Sequence, residues 1–254
     1  MGKTLSVAII TRNEEVNLPR TLGSVHWANE IVVVDCGSTD GTVELAWRFG
    51  AKVIQQDWLG FGQQKNLAIE RCTSEWVLSL DADEEVSETL AQEIERLLAE
   101  KPAVDAYYLP RRNLFLGRWI RHGGYYPDQK LRLFRKGTAQ FEESAVHETV
   151  QYSGATRTLH ADLIHHAYPS LENYIEHMNR YSTLGATQAA AKGRTSQSLP
   201  TFFWNALLNP IATFFYNYIL RLGFLDGREG LLLHLYHSGY VSWKYAKAWQ
   251  DWKF

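Results

Sequence analysis

The sequence of 254 residues contains only two cysteines, Cys36 and Cys72. Two cysteines cannot form a disulfide framework, and this scarcity favours a reducing compartment, for which we predict the cytoplasm. Residues 1–4 run directly into a strand-like segment, so we expect no signal peptide. The net charge of −2 is close to neutral, which disfavours the strongly basic class of nucleic-acid-binding proteins, and we expect no nucleic-acid partner.

Two common phosphate-binding motifs are missing as well. The first strand-like segment is not followed by Gly-x-Gly-x-x-Gly, and no Walker-type Gly-x-x-x-x-Gly-Lys-Ser/Thr is present. A dinucleotide-dependent oxidoreductase and a P-loop nucleotide hydrolase are therefore disfavoured. A nucleotidyltransferase would usually place a Gly-rich basic loop after its first strand, and the sequence TRNE at residues 11–14 does not supply one.

The first hundred residues alternate between short apolar runs and amphipathic segments. The apolar runs, which predict strands, lie at residues 5–10, 31–34, 52–55 and 76–80. Each is followed by a segment with helical spacing of its apolar residues, such as residues 60–71. Short, fully apolar strands that alternate with helices predict an α/β fold with a mostly parallel sheet, covered on both faces.

Polar clusters stand at the carboxyl end of three of these predicted strands. They are the sequence TRN at residues 11–13, Asp35 with the following Gly37 and Ser38, and Asp81 with Asp83. In α/β sheets ligands bind outside the carboxyl ends of the strands. A strand would direct Asp81 and Asp83 to one face. Paired carboxylates suit Mg²⁺ or Mn²⁺, whose remaining ligands are often substrate phosphates, so the pattern predicts a nucleotide or a nucleotide sugar as ligand.

Three motifs carry a resemblance to a known family. They are VAIITRNEE at residues 7–15, IVVVDCGSTDGT at residues 31–42 and LDADE at residues 80–84. In order and spacing they resemble family 2 glycosyltransferases with the GT-A fold. The segments KLRLFR at 130–135, VHE at 146–148 and LDGREG at 225–230 resemble a bacterial subgroup of lipopolysaccharide inner-core β-1,4-glucosyltransferases.

The resemblance implies a fold, a division of the chain and a reaction. The expected GT-A catalytic domain spans residues 1–170, with a nucleotide-binding half at 1–100 and an acceptor half at 101–170. A helical, membrane-associating extension would span residues 171–254. The implied reaction is an inverting transfer of glucose from UDP-glucose to a heptose of the lipopolysaccharide inner core. Transfer to polyprenyl phosphate or another envelope glycan, and a non-catalytic sugar-nucleotide-binding protein, remain alternatives.

The donor half follows from the same resemblance. It implies that Asp83 binds Mg²⁺ or Mn²⁺ and that Asp81 lies at the ribose or the metal edge of the donor. A late His often completes the metal site in this family. His165 is favoured over His166 from its spacing to Tyr168, and only one of these neighbours can serve because adjacent strand residues face opposite ways. The predicted nucleotide contacts are Thr11, Asn13, Asp35, Gly37, Ser38, Lys65 and Asp81.

The acceptor half needs a base and a recognition surface. We predict Glu148 as the catalytic base, with Glu142 and Glu143 as competitors, and His147 as a residue that orients it or contacts the acceptor. The basic stretch at residues 111–136 contains a single acid, Asp128. From this clustering of charge we predict that Arg111, Arg112 and Arg132 bind phosphate or carboxylate groups of the acceptor.

The C-terminal third is rich in aromatic residues. No charged residue lies between Arg194 and Arg221, although Asn and Pro interrupt the apolar sequence. This composition predicts helices that lie on a membrane surface or pack on the catalytic domain rather than a transmembrane span. The last segment, residues 231–254, combines aromatics with lysines and suits an interfacial helix or a cap over the acceptor cleft. We therefore expect a peripheral protein at the cytoplasmic face of the inner membrane.

Overall fold

The computed structural model describes residues 4–100, 102–142 and 149–253. The strands, in chain order, are β1 (Leu5–Thr11), β2 (Glu30–Asp35), β3 (Lys52–Gln55), β4 (Trp76–Asp81), β5 (Glu84–Val86), β6 (Ala106–Phe115), β7 (Arg118–Trp119), β8 (Asp128–Arg135), β9 (Gln140–Phe141), β10 (Val150–Gln151), β11 (Thr156–Thr158) and β12 (Leu163–Tyr168).

The helices lie between and after these strands. They are α1 (Leu18–Ser24), α2 (Thr42–Arg48), α3 (Phe61–Glu70), α4 (Glu88–Ala99), α5 (Leu171–Ala191), α6 (Leu199–Phe203), α7 (Asn209–Phe215) and α8 (Gly227–Lys253). Two π-helical segments, Trp204–Leu208 and Tyr216–Leu220, and a 3₁₀ segment, Gly223–Asp226, complete them.

The chain divides into two compact units. Unit 1 consists of Met1–Arg111 and Asp128–His165, and unit 2 consists of Arg112–Pro127 and His166–Phe254. These units are defined by which residues pack together. The predicted division after residue 170 is instead a division by function, between a catalytic domain and a membrane-associating extension. That functional division therefore stays a prediction.

Unit 1 is built on a mixed sheet. Strands β2 and β4 pair in parallel with β1, and β3 pairs in parallel with β2. Strand β8 then joins antiparallel to β4, and β6 joins antiparallel to β8. The predicted α/β class with flanking helices is confirmed, with parallel pairing among β1–β4 and also between β11 and β6.

The apolar composition of the strands explains why the sheet is buried. Val33, Leu78 and Leu80 have essentially no exposed surface, and one hydrophobic cluster joins them to Leu90 and Ile94 of α4. Helix α4 begins at a well-formed cap, since the Ser87 side chain accepts a hydrogen bond from the Leu90 N–H. The register of β1 with β2 places Thr11 beside Asp35, so the polar ends of both strands meet at one edge of the sheet.

Unit 2 contains a short hairpin and the C-terminal helices. The hairpin joins the end of β6 to β7 through Leu116 and Gly117, and both of these residues have positive φ angles, 51° and 79°. Two residues with φ above zero form the turn that suits the twist of an antiparallel hairpin. Helices α5 and α8 pack together through Ala186, Val241 and other small or aromatic residues. The predicted helical C-terminal extension is thereby confirmed.

The stretch without charges at residues 195–220 is helical for most of its length. Leu199–Phe203, Trp204–Leu208, Asn209–Phe215 and Tyr216–Leu220 follow one another, alternating between α- and π-helical turns. Within the described residues, no helix combines the length and the apolar character that a membrane crossing needs.

Candidate functional site

The loop after β2 is organised by the buried carboxylate of Asp35, of which 1% is exposed. Its Oδ1 accepts hydrogen bonds from the N–H groups of Gly37 (3.0 Å) and Ser38 (2.9 Å). Its Oδ2 accepts from the Thr11 hydroxyl at 3.1 Å and from the Ser38 hydroxyl. Gly37 has a φ of 84°, a conformation that costs glycine nothing. Asp35 thus fixes a tight loop at the edge of the sheet.

Asn13 connects this loop to the end of β1. Its backbone N–H donates to the Ser38 hydroxyl at 2.8 Å, and its side-chain oxygen accepts from the Thr39 N–H at 2.8 Å. Asn13 itself has a φ of 56°, which a short polar side chain tolerates better than most. The predicted nucleotide contacts Thr11, Asn13, Asp35, Gly37 and Ser38 therefore form one hydrogen-bonded group, whereas their contact with a nucleotide stays a prediction.

The two carboxylates that follow β4 do not share one strand face. The strand ends at Asp81, a turn contains Ala82 and Asp83, and β5 begins at Glu84. The expectation that strand alternation directs Asp81 and Asp83 to the same side is wrong, because alternation applies only to extended backbone. The two side chains consequently have different partners.

Asp81 is neutralised by two cations. Its Oδ1 lies 2.7 Å from the Lys65 Nζ, and its Oδ2 accepts from the Arg132 guanidinium. Burial alone would raise the pKa of Asp81, but Arg132 and Lys65 outweigh burial and hold this pKa well below its usual range. Lys65, predicted to contact the base or the diphosphate, is itself only 5% exposed and lies 5.1 Å from the centre of the Phe141 ring.

Glu84 lies at the centre of a buried ionic network. It has no exposed surface, and its Oε1 accepts from Arg111 at 2.9 Å and from Arg132 at 2.8 Å. Its Oε2 accepts from the backbone N–H of Asp81 at 2.9 Å, which closes the turn. Arg111 also binds Asp128 at 2.7 Å. Two of the three arginines predicted to contact the acceptor thus form ion pairs inside unit 1, and their role in acceptor binding stays a prediction.

Asp83 lies in the turn between β4 and β5 and pairs with a histidine. Its Oδ2 lies 3.3 Å from the Nε2 of His165, and burial, which would raise the pKa of Asp83, is outweighed by this imidazole, which lowers it. The register of β12 with β5 pairs His165 with Glu84, which brings the imidazole to the turn. His166, the predicted alternative, belongs to unit 2.

The oxygen of Asp83 and the nitrogen of His165 are a donor pair that Mn²⁺ or Mg²⁺ accepts. In the described ranges, which omit 101 and 143–148 as well as the extreme ends, no three or more His, Cys, Asp and Glu side chains converge on a metal site. A pair of protein ligands fits an ion whose other ligands are substrate phosphates and water. The residues present therefore fit a metal that binds together with a diphosphate.

Of the three candidate bases, Glu142 lies within the described residues. Glu148, Glu143 and His147 lie outside the described residues. Glu142 accepts hydrogen bonds from the Thr149 hydroxyl at 2.6 Å and from the Gln151 amide. These hydrogen bonds lower the pKa of Glu142, which makes it a weaker base. Which of Glu148, Glu143 and Glu142 is the base stays a prediction.

Three functional candidates carried too weak a signal to be found in the sequence. Glu84 belongs to the motif LDADE at residues 80–84, but its burial could not be predicted from an acidic run. In unit 2, Asp226 is 2% exposed and binds the His122 Nδ1 at 2.9 Å. The available signal for Asp226 was its position in LDGREG after two apolar residues, Phe224 and Leu225. No comparable signal marked His122.

Comparison with known sequences connects this site to a family. The model of the family described as glycosyl transferase family 2 matches residues 6–157. The lipopolysaccharide core biosynthesis glycosyltransferase LpsC of Rhizobium meliloti is 32% identical over 235 residues, which cover 88% of this chain and 82% of LpsC. An uncharacterized glycosyltransferase of Rickettsia typhi is 34% identical over 212 residues, or 76% of this chain and 70% of the relative.

Solved structures show the same fold at low sequence identity. A mannosyltransferase from Pyrobaculum calidifontis, in complex with GDP-Man and Mn²⁺, has a TM-score of 0.58 at 17% identity and covers 99% of this chain and 88% of its own. The structure of S. aureus TarS 1–349 with UDP has a TM-score of 0.50 at 18% identity, with coverage of 98% and 91%. At these identities, the likenesses show a shared fold.

Proposed function

Because the chain belongs to glycosyl transferase family 2, which confirms the resemblance of its motifs, we propose that it transfers a sugar from a UDP-sugar to the lipopolysaccharide core. One observation carries the donor half of this proposal. The loop organised by Asp35 follows β2 and the turn with Asp83 follows β4, the two strands that flank β1 in the parallel part of the sheet, where nucleotides bind in folds of this type. The similarity to LpsC supports the acceptor class.

Different residues of unit 1 bind different parts of the donor in this proposal. In this proposal Thr11, Asn13 and the Asp35 loop hold the nucleoside. Asp83 and His165 would hold Mg²⁺ or Mn²⁺, which when bound neutralises the leaving diphosphate. Lys65 and Arg132 keep Asp81 ionised and in a fixed position, so that it can contact the ribose without a change in protonation.

Inversion requires a base on the opposite face of the sugar from the diphosphate. We keep Glu148 for this role, with Glu143 as its competitor, and His147 as a residue that orients the base. The acceptor hydroxyl would give its proton to this carboxylate as it attacks the anomeric carbon. Glucose as the donor sugar and a heptose as the acceptor belong to the same proposal, on the strength of the resemblance to the inner-core subgroup.

The donor half is tested by titrating the full chain with UDP and with GDP, each with and without Mn²⁺, in a calorimeter. We expect binding of UDP that depends on Mn²⁺ and that weakens by at least about tenfold in Asp83→Asn. The matched control is Asp251→Asn, an exposed carboxylate at the end of α8, which should bind UDP like the unaltered protein. Equal affinity with and without Mn²⁺, or unchanged affinity in Asp83→Asn, would contradict the proposed role of Asp83.

We also propose that unit 2 binds the cytoplasmic face of the inner membrane, where a lipid-linked acceptor would be found. Exposed aromatic and aliphatic side chains are dense in residues 199–225, and this stretch has no acidic residue before Asp226. Aromatic side chains favour the membrane interface. The exposed members are Leu199, Phe203, Trp204, Leu207, Leu208, Ile211, Phe215, Tyr216, Ile219, Leu220, Leu222, Phe224 and Leu225.

Flotation with phosphatidylglycerol vesicles tests this surface. Trp204→Ser should reduce the fraction of protein that floats, because Trp204 is 58% exposed in the apolar stretch. Trp47→Ser is a closely matched control, since Trp47 is 60% exposed but belongs to unit 1. Equal loss in both variants, or no flotation of the unaltered protein, would contradict membrane binding through residues 199–225.

A further inference from the structure

Residues 112–127, the hairpin segment of unit 2, contain a histidine whose ring is held by a buried carboxylate. The Oδ1 of Asp226 lies 2.9 Å from the Nδ1 of His122. The Oδ2 of Asp226 accepts hydrogen bonds from the backbone N–H groups of Arg121 (3.1 Å) and His122 (2.8 Å). Because these three contacts fix the carboxylate, the carboxylate in turn fixes the orientation of the His122 ring.

The carboxylate of Asp226 also selects the tautomer of His122. An ionised carboxylate only accepts hydrogen bonds, so the Nδ1 of His122 carries the ring proton. In the neutral imidazole the Nε2 is then an unprotonated nitrogen that accepts a hydrogen bond. The His122 side chain is 32% exposed, so a molecule from outside can reach the ring. His122 therefore presents an oriented hydrogen-bond acceptor.

The backbone that follows His122 is held against the C-terminal helices of unit 2. The N–H of Gly123 donates to the carbonyl oxygen of Arg221 at 2.8 Å. Gly123 has a φ of 67°, and a Cβ added there would stand 2.1 Å from the Cε1 of His234 in α8. Only glycine permits this approach. His122 is therefore placed by contacts on both its side chain and its backbone.

The neighbouring His234 indicates that the pairing of Asp226 with His122 is more than structural. His234 is 1% exposed, and within the described residues neither of its ring nitrogens has a hydrogen-bond partner. Burial lowers the pKa of His234, and the Asp226 carboxylate opposes this effect only in part. A carboxylate that served stability alone would satisfy the buried imidazole, whose unpartnered N–H is costly. Asp226 binds the partly exposed ring of His122 instead, which favours a function for that ring.

We propose that the Nε2 of His122 accepts a hydrogen bond from a hydroxyl group of the glycan acceptor. The assignment to a glycan rests on the proposed function, whereas the orientation and the tautomer of the ring do not. A hydroxyl group is the partner that fits, since an unprotonated nitrogen needs a donor and an oxyanion has none. Asp226 is a positioning residue, because it acts through His122.

Calorimetric titration of the full chain tests the role of His122. The probe is a deacylated, dephosphorylated core oligosaccharide that ends in heptose, with UDP and Mg²⁺ present. His122→Asn keeps an amide N–H near the position of Nδ1, and thus the contact with Asp226, but removes Nε2. We expect this variant to raise the dissociation constant of the oligosaccharide by about three- to tenfold, as the loss of one hydrogen bond implies, and to leave that of UDP unchanged.

His160→Asn is the matched control. The Nδ1 of His160 also binds a carboxylate, that of Glu93 at 3.1 Å, but the ring is 96% exposed and belongs to unit 1. This variant should alter the dissociation constant of the oligosaccharide by less than about twofold. An equal loss of affinity in His160→Asn and His122→Asn would overturn the proposal.

Nitrogen NMR of the imidazole rings tests the role of Asp226, because it reports which ring nitrogen carries the proton. At about pH 8, where histidine is ordinarily neutral, we expect the proton of His122 on Nδ1. In Asp226→Asn the amide N–H can donate to Nδ1, so the proton should move to Nε2 and the affinity for the oligosaccharide should fall as in His122→Asn. A purely structural Asp226 would not change the tautomer. A proton on Nε2 in the unaltered protein would overturn the proposal.

Two outcomes separate this proposal from the proposed function. Binding of the oligosaccharide with the same affinity in His122→Asn as in the unaltered protein would overturn the role of His122 and leave the acceptor class standing. Failure of the oligosaccharide to bind the unaltered protein, while UDP binds, would refute the acceptor class. The assignment of His122 to a glycan hydroxyl would then be refuted with it.

Discussion

Arg111 and Arg112 are neighbours in the chain, yet they belong to two different electrostatic environments. Arg111 joins Arg132 in unit 1, where both guanidinium groups bind the fully buried Glu84. Arg112 joins Arg121 in unit 2, where both contact the ring of Trp119. In the first pair carboxylates provide the countercharge, and in the second an aromatic ring provides the contact. A single basic stretch of sequence therefore contains cations that pair with buried carboxylates and cations that contact an aromatic ring.

The difference shows how charge in a sequence should be assigned to function. A cation that meets a buried carboxylate cannot be removed without leaving an unpaired charge, whatever it does for a substrate. A contact between a cation and an aromatic ring contributes only about 0.5–2 kcal/mol, so the loss of that contact alone costs less. Substitutions around the buried carboxylates should consequently cost more stability than substitutions at the aromatic ring.

The largest effect is expected for Glu84→Gln. The substitution removes the negative charge that Arg111 and Arg132 share and leaves two guanidinium groups less well compensated in a buried place. We expect the free energy of unfolding, measured in urea, to fall by about 3–5 kcal/mol. Glu44→Gln is the control, because Glu44 pairs with Arg48 at 2.5 Å on an exposed helix face and should cost less than about 1 kcal/mol. Equal losses in both variants would show that the network around Glu84 does not stabilise unit 1.

An intermediate effect is expected for Asp226→Asn in unit 2. The amide keeps one acceptor oxygen but presents N–H groups where the carboxylate accepts from His122. We expect a loss of about 2 kcal/mol, in the range for hydrogen bonds to a charged group. Hydrogen exchange should accelerate at the amides of Arg121 and His122, which now donate to Asp226. Unchanged exchange at these two amides would contradict the role of Asp226 in fixing the hairpin segment.

The smallest effect is a dependence of stability on pH that arises in unit 1. Burial would raise the pKa of Asp128, but Arg111 and Lys130 lower it to about 2. Because the folded pKa lies below the unfolded value of about 3.9, this contribution is present above pH 4 and is lost as the pH falls from about 4 to about 2. A shift of this size corresponds to about 2.5 kcal/mol, and solvent screening of the Asp128 side chain, which is 25% exposed, reduces the contribution to about 1 kcal/mol. Asp128→Asn should therefore make the acid loss of stability shallower, and curves of equal slope for both proteins would contradict the prediction.

Apolar periodicity was sufficient to predict the four N-terminal strands β1–β4 and the helices between them. The third strand, Lys52–Gln55, has the predicted bounds, and α3 (Phe61–Glu70) lies within the predicted residues 60–71. Such runs are informative because a strand buried on both faces must be apolar throughout. The same reasoning placed Asp35 and Asp81 at the ends of their strands, where the structure has them.

The partners of the charged side chains could not be predicted in the same way. Strand alternation failed for Asp83, because the strand ends two residues earlier at Asp81. The fate of Arg132 depends on Glu84, which is 48 residues away in sequence, and local composition contains no information about that pairing. Side-chain pairs between distant elements follow from the register of β4, β5 and β8, and periodicity does not determine the register.

The network around Glu84 also restricts how this protein can evolve. Replacing Glu84 alone removes a countercharge from two guanidinium groups. Replacing Arg132 alone removes a countercharge from the carboxylates of Glu84 and Asp81. Each single substitution gives a protein of reduced stability. A change at one position is therefore tolerated only if the other position changes with it. Among descendants of this gene, residues 84 and 132 should therefore change together or not at all.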